Sequence, residues 1–206
     1  MFQNKYRTIA EHLLARRLCK ADGFTIEEIK QYSELRLPQA LIDYYSVAGR
    51  LSINVAHNRL LLPSEVHLDA NESMIVIMDE NQSVCSWGIR IDDTDEIDPV
   101  VFQGQPNQSE WYSEECTLSE WLEICLYLQC CWGGLQFSCD HTDPSALITE
   151  IRKNWKQVVE HNGLLIWENN GVLISDLGQP WYNGSANTHE GFIKLQELGF
   201  EPRHCD

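Results

Sequence analysis

The sequence predicts an α+β fold, and three observations carry that reading. Helix-start signatures fill residues 1–50, short apolar runs rich in Ile and Val and bounded by turn formers fill residues 74–102, and a helix-hairpin-helix pattern follows residue 141. No internal repeat or low-complexity linker interrupts the 206 residues. One domain over 1–140 is therefore expected, with a carboxy-terminal extension over 141–206 packed on the same unit. A chain of this size buries roughly 70% of its unfolded surface, so its core needs no metal or disulfide.

The first element reads as an amphipathic helix within Met1–Lys20 and not as a signal peptide, since Arg16 and Arg17 lie inside its apolar pattern. Thr25-Ile-Glu-Glu28 is a capping box, so a helix is expected from Ile26 to about Leu35, where Pro38 forces Leu37 out of helical geometry. The next helix starts at Pro38 and carries Leu41, Tyr44, Tyr45 and Ala48 on one face, with Gly49 as a left-handed stop. Met74–Met78 reads as a buried strand, Val84–Ile91 as its antiparallel partner, and Val100–Phe102 as a third strand with Pro99 at its start. Gly104–Ser113 is polar and reads as a loop. Thr117-Leu-Ser-Glu120 is a second capping box, opening an apolar helix that Gly133-Gly134 ends. Asp143-Pro144 should cap a helix to about Glu160. Asn170-Gly171, between Leu164–Trp167 and Val172–Ser175, is the strongest hairpin signal in the chain, and a last helix is expected from Thr188 to Gly199.

Charge is distributed unevenly. The net charge is -16, yet residues 91–151 hold thirteen acids and no Lys or Arg, while residues 1–50 hold eight basic and six acidic side chains. Such a tract repels nucleic acid and anionic lipid and attracts a basic partner, unless it only solvates the surface. Asp92, Asp93, Asp95, Glu96 and Asp98 form one candidate patch, on a loop between two expected strands. Glu110, Glu114 and Glu115 form a second, and Trp111-Tyr112 between them reads either as a binding anchor or as a segment pinned to the core.

Phosphate-loop, dinucleotide, nucleophile-elbow and metalloprotease motifs are absent, which removes the common enzyme classes they mark. Eight cysteines in a chain of this length, without an export signal, read as reduced cytoplasmic thiols. They show no C-x-x-C, and the C-x-H pair Cys139/His141 has no matching second pair, so no metal or other cofactor is expected. Cys125, Cys130 and Cys131 lie in an apolar helix, where a thiolate is disfavoured. His57, before Asn58-Arg59, admits a catalytic reading and a hydrogen-bonded structural one.

A longer pattern forms a unit. Leu37-Pro38-x-x-Leu41-x-x-Tyr44-Tyr45-x-x-Ala48-Gly49 is followed by His57-Asn-Arg-Leu-Leu-Leu-Pro63, by Met74–Met78 with Glu80-Asn-Gln82, and by Trp87-Gly88. Asp98-Pro-Val-Val101 and Ser119-Glu-Trp-Leu122 complete it. This order, over about residues 30–130, resembles the SUKH superfamily, in the branch named for the Smi and Knr cell-wall regulators of yeast. Residues 144–200 resemble an extension some members carry. The resemblance implies a mixed, mostly antiparallel sheet flanked by helices, and no catalytic activity. It also implies a protein-binding role: bacterial members are commonly immunity proteins that neutralise a toxin, often a nuclease, and eukaryotic members are regulatory or scaffold proteins. The expected partner is thus a basic protein toxin, met in the cytoplasm, with no direct binding to nucleic acid or membrane. The regulatory module is the alternative, and a thiol or metal enzyme a third.

Overall fold

The computed structural model describes residues 1–105, 110–142 and 147–203. The chain divides into two compact units, Met1–Ile9 with Leu18–Glu123, and Ala10–Arg17 with Ile124–Asp206. Helix α1 (Gln3–Leu13) contributes to both, burying Tyr6, Ala10 and Leu13 at the i, i+4, i+7 spacing of one face.

In the first unit the capping box at Thr25 forms as expected. Glu28 N–H donates to Thr25 Oγ1 (3.1 Å), and Thr25 N–H donates to Glu28 Oε2 (2.8 Å), starting helix α2 (Ile26–Tyr32). It ends sooner than expected, because Ser33 leaves the helix and its hydroxyl bonds the backbone of Leu35. Helix α3 (Gln39–Ala48) follows Pro38 and buries Leu41, Tyr44, Tyr45 and Ala48. Gly49 is not a left-handed stop, since its φ of -61° and ψ of -20° are right-handed helical. Glycine is required there for space: a Cβ would stand 2.7 Å from the Tyr45 carbonyl oxygen and 2.8 Å from the Phe24 ring.

Strands β1 (Arg59–Leu60), β2 (His67–Leu68), β3 (Met74–Asp79), β4 (Ser86–Arg90), β5 (Val100–Gly104) and β6 (Trp111–Thr117) form one sheet in the order β1-β3-β4-β5-β6, with β2 also on β3. All five residues Met74–Met78 are buried, as a central strand requires. Strand β6 corrects the expected loop: Gly104 pairs with Trp111 and Phe102 with Ser113, so the chain turns back into the sheet. Helix α4 (Leu118–Gln129) follows at once, with Glu120 Oε2 accepting from Thr117 N–H (2.9 Å).

The second unit holds the end of α4, a turn at Cys130–Gly134 in which Gly133 takes φ +114°, and strand β7 (Phe137–His141). Helix α5 (Leu147–Asn154) then gives way to β8 (Lys156–His161), where the helix was expected to run on to Glu160; its proposed cap, Asp143-Pro144, lies outside the described residues. Strands β9 (Leu164–Asn169) and β10 (Val172–Asp176) form the expected two-residue hairpin. Asn170 and Gly171 both adopt positive φ (54° and 79°), and Asn169 pairs with Val172. Strand β11 (Tyr182–Ala186), helix α6 (His189–Glu197) and β12 (Glu201–Pro202) complete the unit. Its sheet runs β12-β7-β11-β10-β9-β8, so four strands lie between α5 and α6 where one hairpin was expected. Trp167, Ile174, Tyr182 and Phe200 join α5's Ile151 and α6's Leu195 in its core.

The fold is therefore α+β. In place of the expected mixed, mostly antiparallel sheet with a hairpin in the extension there are two six-stranded sheets, and among the described residues every strand pairing in both is antiparallel.

Candidate interaction surface

The acidic loop between β4 and β5 is anchored at both helices it touches. Its first residues form a short 3-10 turn, Ile91–Asp93. The Ile97 carbonyl accepts from Ala40 N–H (3.0 Å) in the first turn of α3. Asp98 accepts from both Ser119 N–H and Ser119 Oγ (2.7 Å each) in the first turn of α4. The loop thus satisfies donors that a helix leaves unpaired at its start, and its negative charge opposes the positive ends of two helix dipoles. Asp92, Asp95 and Glu96 stay exposed around this anchor, with Asp93 half-buried. Asp95 pairs with Arg36, both largely exposed.

The second patch lies on β6 and, at Glu110, just before it, at an edge of the sheet, and its members divide by role. Glu114 is buried and accepts from Trp87 Nε1 (2.7 Å), while Trp87 stands against Trp121 with ring centroids 5.8 Å apart. Trp111 lies on the backbone of the neighbouring strand: a Cβ on Gly104 would come within 2.6 Å of its indole. These two residues fasten the strand to the sheet. Glu110, Tyr112 and Glu115 are exposed, Tyr112 by 66%, and the Tyr112 hydroxyl donates to Glu110 Oε2 (2.8 Å). That bond to a carboxylate pushes the phenol pKa upward.

Two depressions flank the acidic loop within the first unit. A cleft of about 460 Å³ sets Asp95, Glu96 and Ile97 opposite Lys30, Arg36 and the apolar Ile29, Leu37 and Ile42. A second, of about 560 Å³, brings Asp92 together with Trp111, beside Glu72, Arg90 and Phe102. Asp92 of the first sequence-predicted patch and Trp111 of the second therefore line one depression. Arg36 and Arg90 were not foreseen. Arg90, whose guanidinium sits 4.6 Å from the Phe102 ring centroid, is the last cation before the acidic tract. Its signal in the sequence was that position alone.

His57 Nδ1 lies 3.1 Å from the Asn81 side-chain amide. Asp69 is buried and accepts from the N–H groups of Ser73 (2.8 Å) and Met74 (2.9 Å). Burial alone would raise its pKa, but these donors outweigh it and hold the carboxyl below the usual range. Burial pushes the Cys131 thiol up to about 12, and burial followed by Glu114, Glu120 and Asp98 takes Cys116 to about 12. Cys85, Cys130 and Cys139 are raised by burial too. Thiols so shifted are protonated near neutral pH and poor nucleophiles. Among the described residues no three His, Cys, Asp or Glu side chains converge on a point that would hold a metal, and no helix is long and apolar enough to cross a membrane.

Comparison with known proteins found no matching family model, no matching curated protein and no matching solved structure.

Proposed function

We propose that this chain is a SUKH-like immunity protein of the cytoplasm, a non-enzymatic module that neutralises a basic protein toxin through its acidic surface, the toxin being a nuclease. The SUKH-like region is residues 1–140, and 141–206 is its extension. The observation that carries the reading is the anchored acidic loop. Asp92, Asp93, Asp95 and Glu96 project from a segment fixed at Ile97 and Asp98, so little ordering entropy is lost when a partner engages them. A nuclease cleft is positive because it must hold phosphates, and fixed carboxylates compete with the nucleic acid for it. Glu110, Tyr112 and Glu115 extend the surface, whereas Asp98, Trp111 and Glu114 act by holding it in place.

The partner to use is the toxin encoded beside this chain's gene. Co-expression should rescue cells from it, and the quadruple variant D92K/D93K/D95K/E96K should lose rescue, weaken binding at least tenfold and flatten its salt dependence. Unchanged affinity and salt dependence in that variant would falsify the reading.

A further inference from the structure

We infer that the free edge of β6 receives an extended basic segment of the partner as an added strand, a mode of engagement that rests on the acidic-surface reading above. Strand β6 pairs with β5 on one side and with no strand on the other among the described residues. An unpaired strand edge offers a row of backbone donors and acceptors, the template used in strand addition. The available stretch is short. The register breaks between Phe102–Ser113 and Val100–Thr117, Glu115 takes φ +57°, and its N–H is bonded to Ser113 Oγ (3.0 Å). That bulge ends regular pairing, so residues 110–113 are the docking stretch.

The side chains specify the occupant's charge. Glu110 and Tyr112 stand two apart, on one face of the strand, and the hydroxyl-to-carboxylate bond joins them. A Lys or Arg opposite Tyr112 meets a ring face and a carboxylate together. No Lys or Arg of residues 91–151 competes for that position. A second copy of the chain is a poor occupant. Antiparallel self-pairing centred between Tyr112 and Ser113 sets Glu110 opposite Glu115, with like charges facing on both sides.

The probe is the heptapeptide Lys-Val-Lys-Val-Lys-Val-Lys, compared with the same peptide N-methylated at every residue, which keeps the charges and removes the backbone donors. Hydrogen exchange on the full chain should show protection confined to residues 110–113 with the first peptide. Titration calorimetry should show at least tenfold weaker binding for the methylated peptide, and for Glu110→Lys with the first. Equal affinity of the two peptides, protection centred on residues 92–98, or no binding would each overturn strand addition. The two proposals fail separately. If these arms fail while charge reversal of the loop still abolishes neutralisation, the acidic-surface reading stands alone. If the peptide docks on β6 and loop reversal leaves neutralisation intact, the strand site stands and the acidic-loop reading falls.

Discussion

Among the described residues the two units bury different kinds of polar side chain. In the first, three carboxylates, Asp43, Asp69 and Glu114, are buried and held by donors, while other charges pair nearer the surface: Arg50 with Glu28 (2.8 Å), Arg36 with Asp95. In the second, the buried polar groups are all neutral, and small ones are carried inside the sheet. Ser175, Asn183 and Ser185 are all buried, and the Cys131 thiol lies against both serines. A buried carboxylate ties the fold to its donors, whereas the exposed charges around it can be changed for binding at little cost. Where the buried groups are neutral and small, each side chain is fixed by volume.

The sharpest test of that contrast is Trp167→Ala. Trp167 is fully buried, stacked 6.3 Å from the Tyr182 ring, in the core of the second unit. Its truncation should cost about 3–5 kcal/mol in denaturant unfolding. A loss comparable to a surface substitution would break the comparison. A smaller effect is expected at Gly184, in the buried strand β11. A Cβ there would stand 2.6 Å from Leu195 Cδ2 and 2.8 Å from the Phe200 ring, so Gly184→Ala should destabilise by about 1–3 kcal/mol through overpacking.

Gly184 also shows why part of the fold was hidden from the sequence. Tyr182-Asn-Gly-Ser-Ala has no apolar alternation, yet all five residues are buried. Helix α6 approaches so closely that only small side chains fit beneath it, and hydropathy cannot register burial achieved by smallness. Strand β6 was hidden for the opposite reason: it lies at an edge with Tyr112, Ser113 and Glu115 exposed, and its bulge interrupts the two-residue period. Strand β8 was merged with α5 because two residues of apolar sequence, Val158-Val159, cannot distinguish a strand from a helix end. What was legible was local: the capping box at Thr25, the reach of Glu120 back to Thr117 and the Asn170-Gly171 turn each close within four residues. The acidic patches were legible as charge alone. Which acids anchor and which project depended on Ser119 and Trp87, 21 and 27 residues away.

Asp69 tests the first unit through one of its buried carboxylates. Its pKa is lowered in the folded state, from an ordinary value of about 3.9. The stability it supplies is fully present above that ordinary value and is lost as pH falls through the lowered one. Thermal unfolding between pH 6 and pH 2 should therefore show a steeper acid loss in the parent than in Asp69→Asn, which has no proton to gain. Asp43 bears the same sign. Burial raises it, but the amino-terminal ammonium, the Phe2 N–H and Gln39 together hold it down. Parallel pH profiles for Asp69→Asn and the parent would remove Asp69 from this account.

The smallest effects fall on the acidic loop, and there stability and binding should rank the residues in reverse. Asp98→Ala leaves Ser119 N–H at the start of α4 without its acceptor and should cost about 1–2 kcal/mol, as loss of a helix cap does. Asp95→Ala removes only an exposed pair with Arg36, and should change stability by no more than about 0.5 kcal/mol. For the proposed partner the order inverts: Asp95 projects toward it, and Asp98 is already occupied by the fold. Asp95→Ala should therefore lower affinity and the salt slope in a protein of nearly parental stability. Asp98→Ala should lower stability first, and affinity only as far as the loop loosens. Urea unfolding and salt-dependent titration of both variants separate the two roles. If both lose stability equally, the division of the acidic tract into anchoring and projecting carboxylates is wrong.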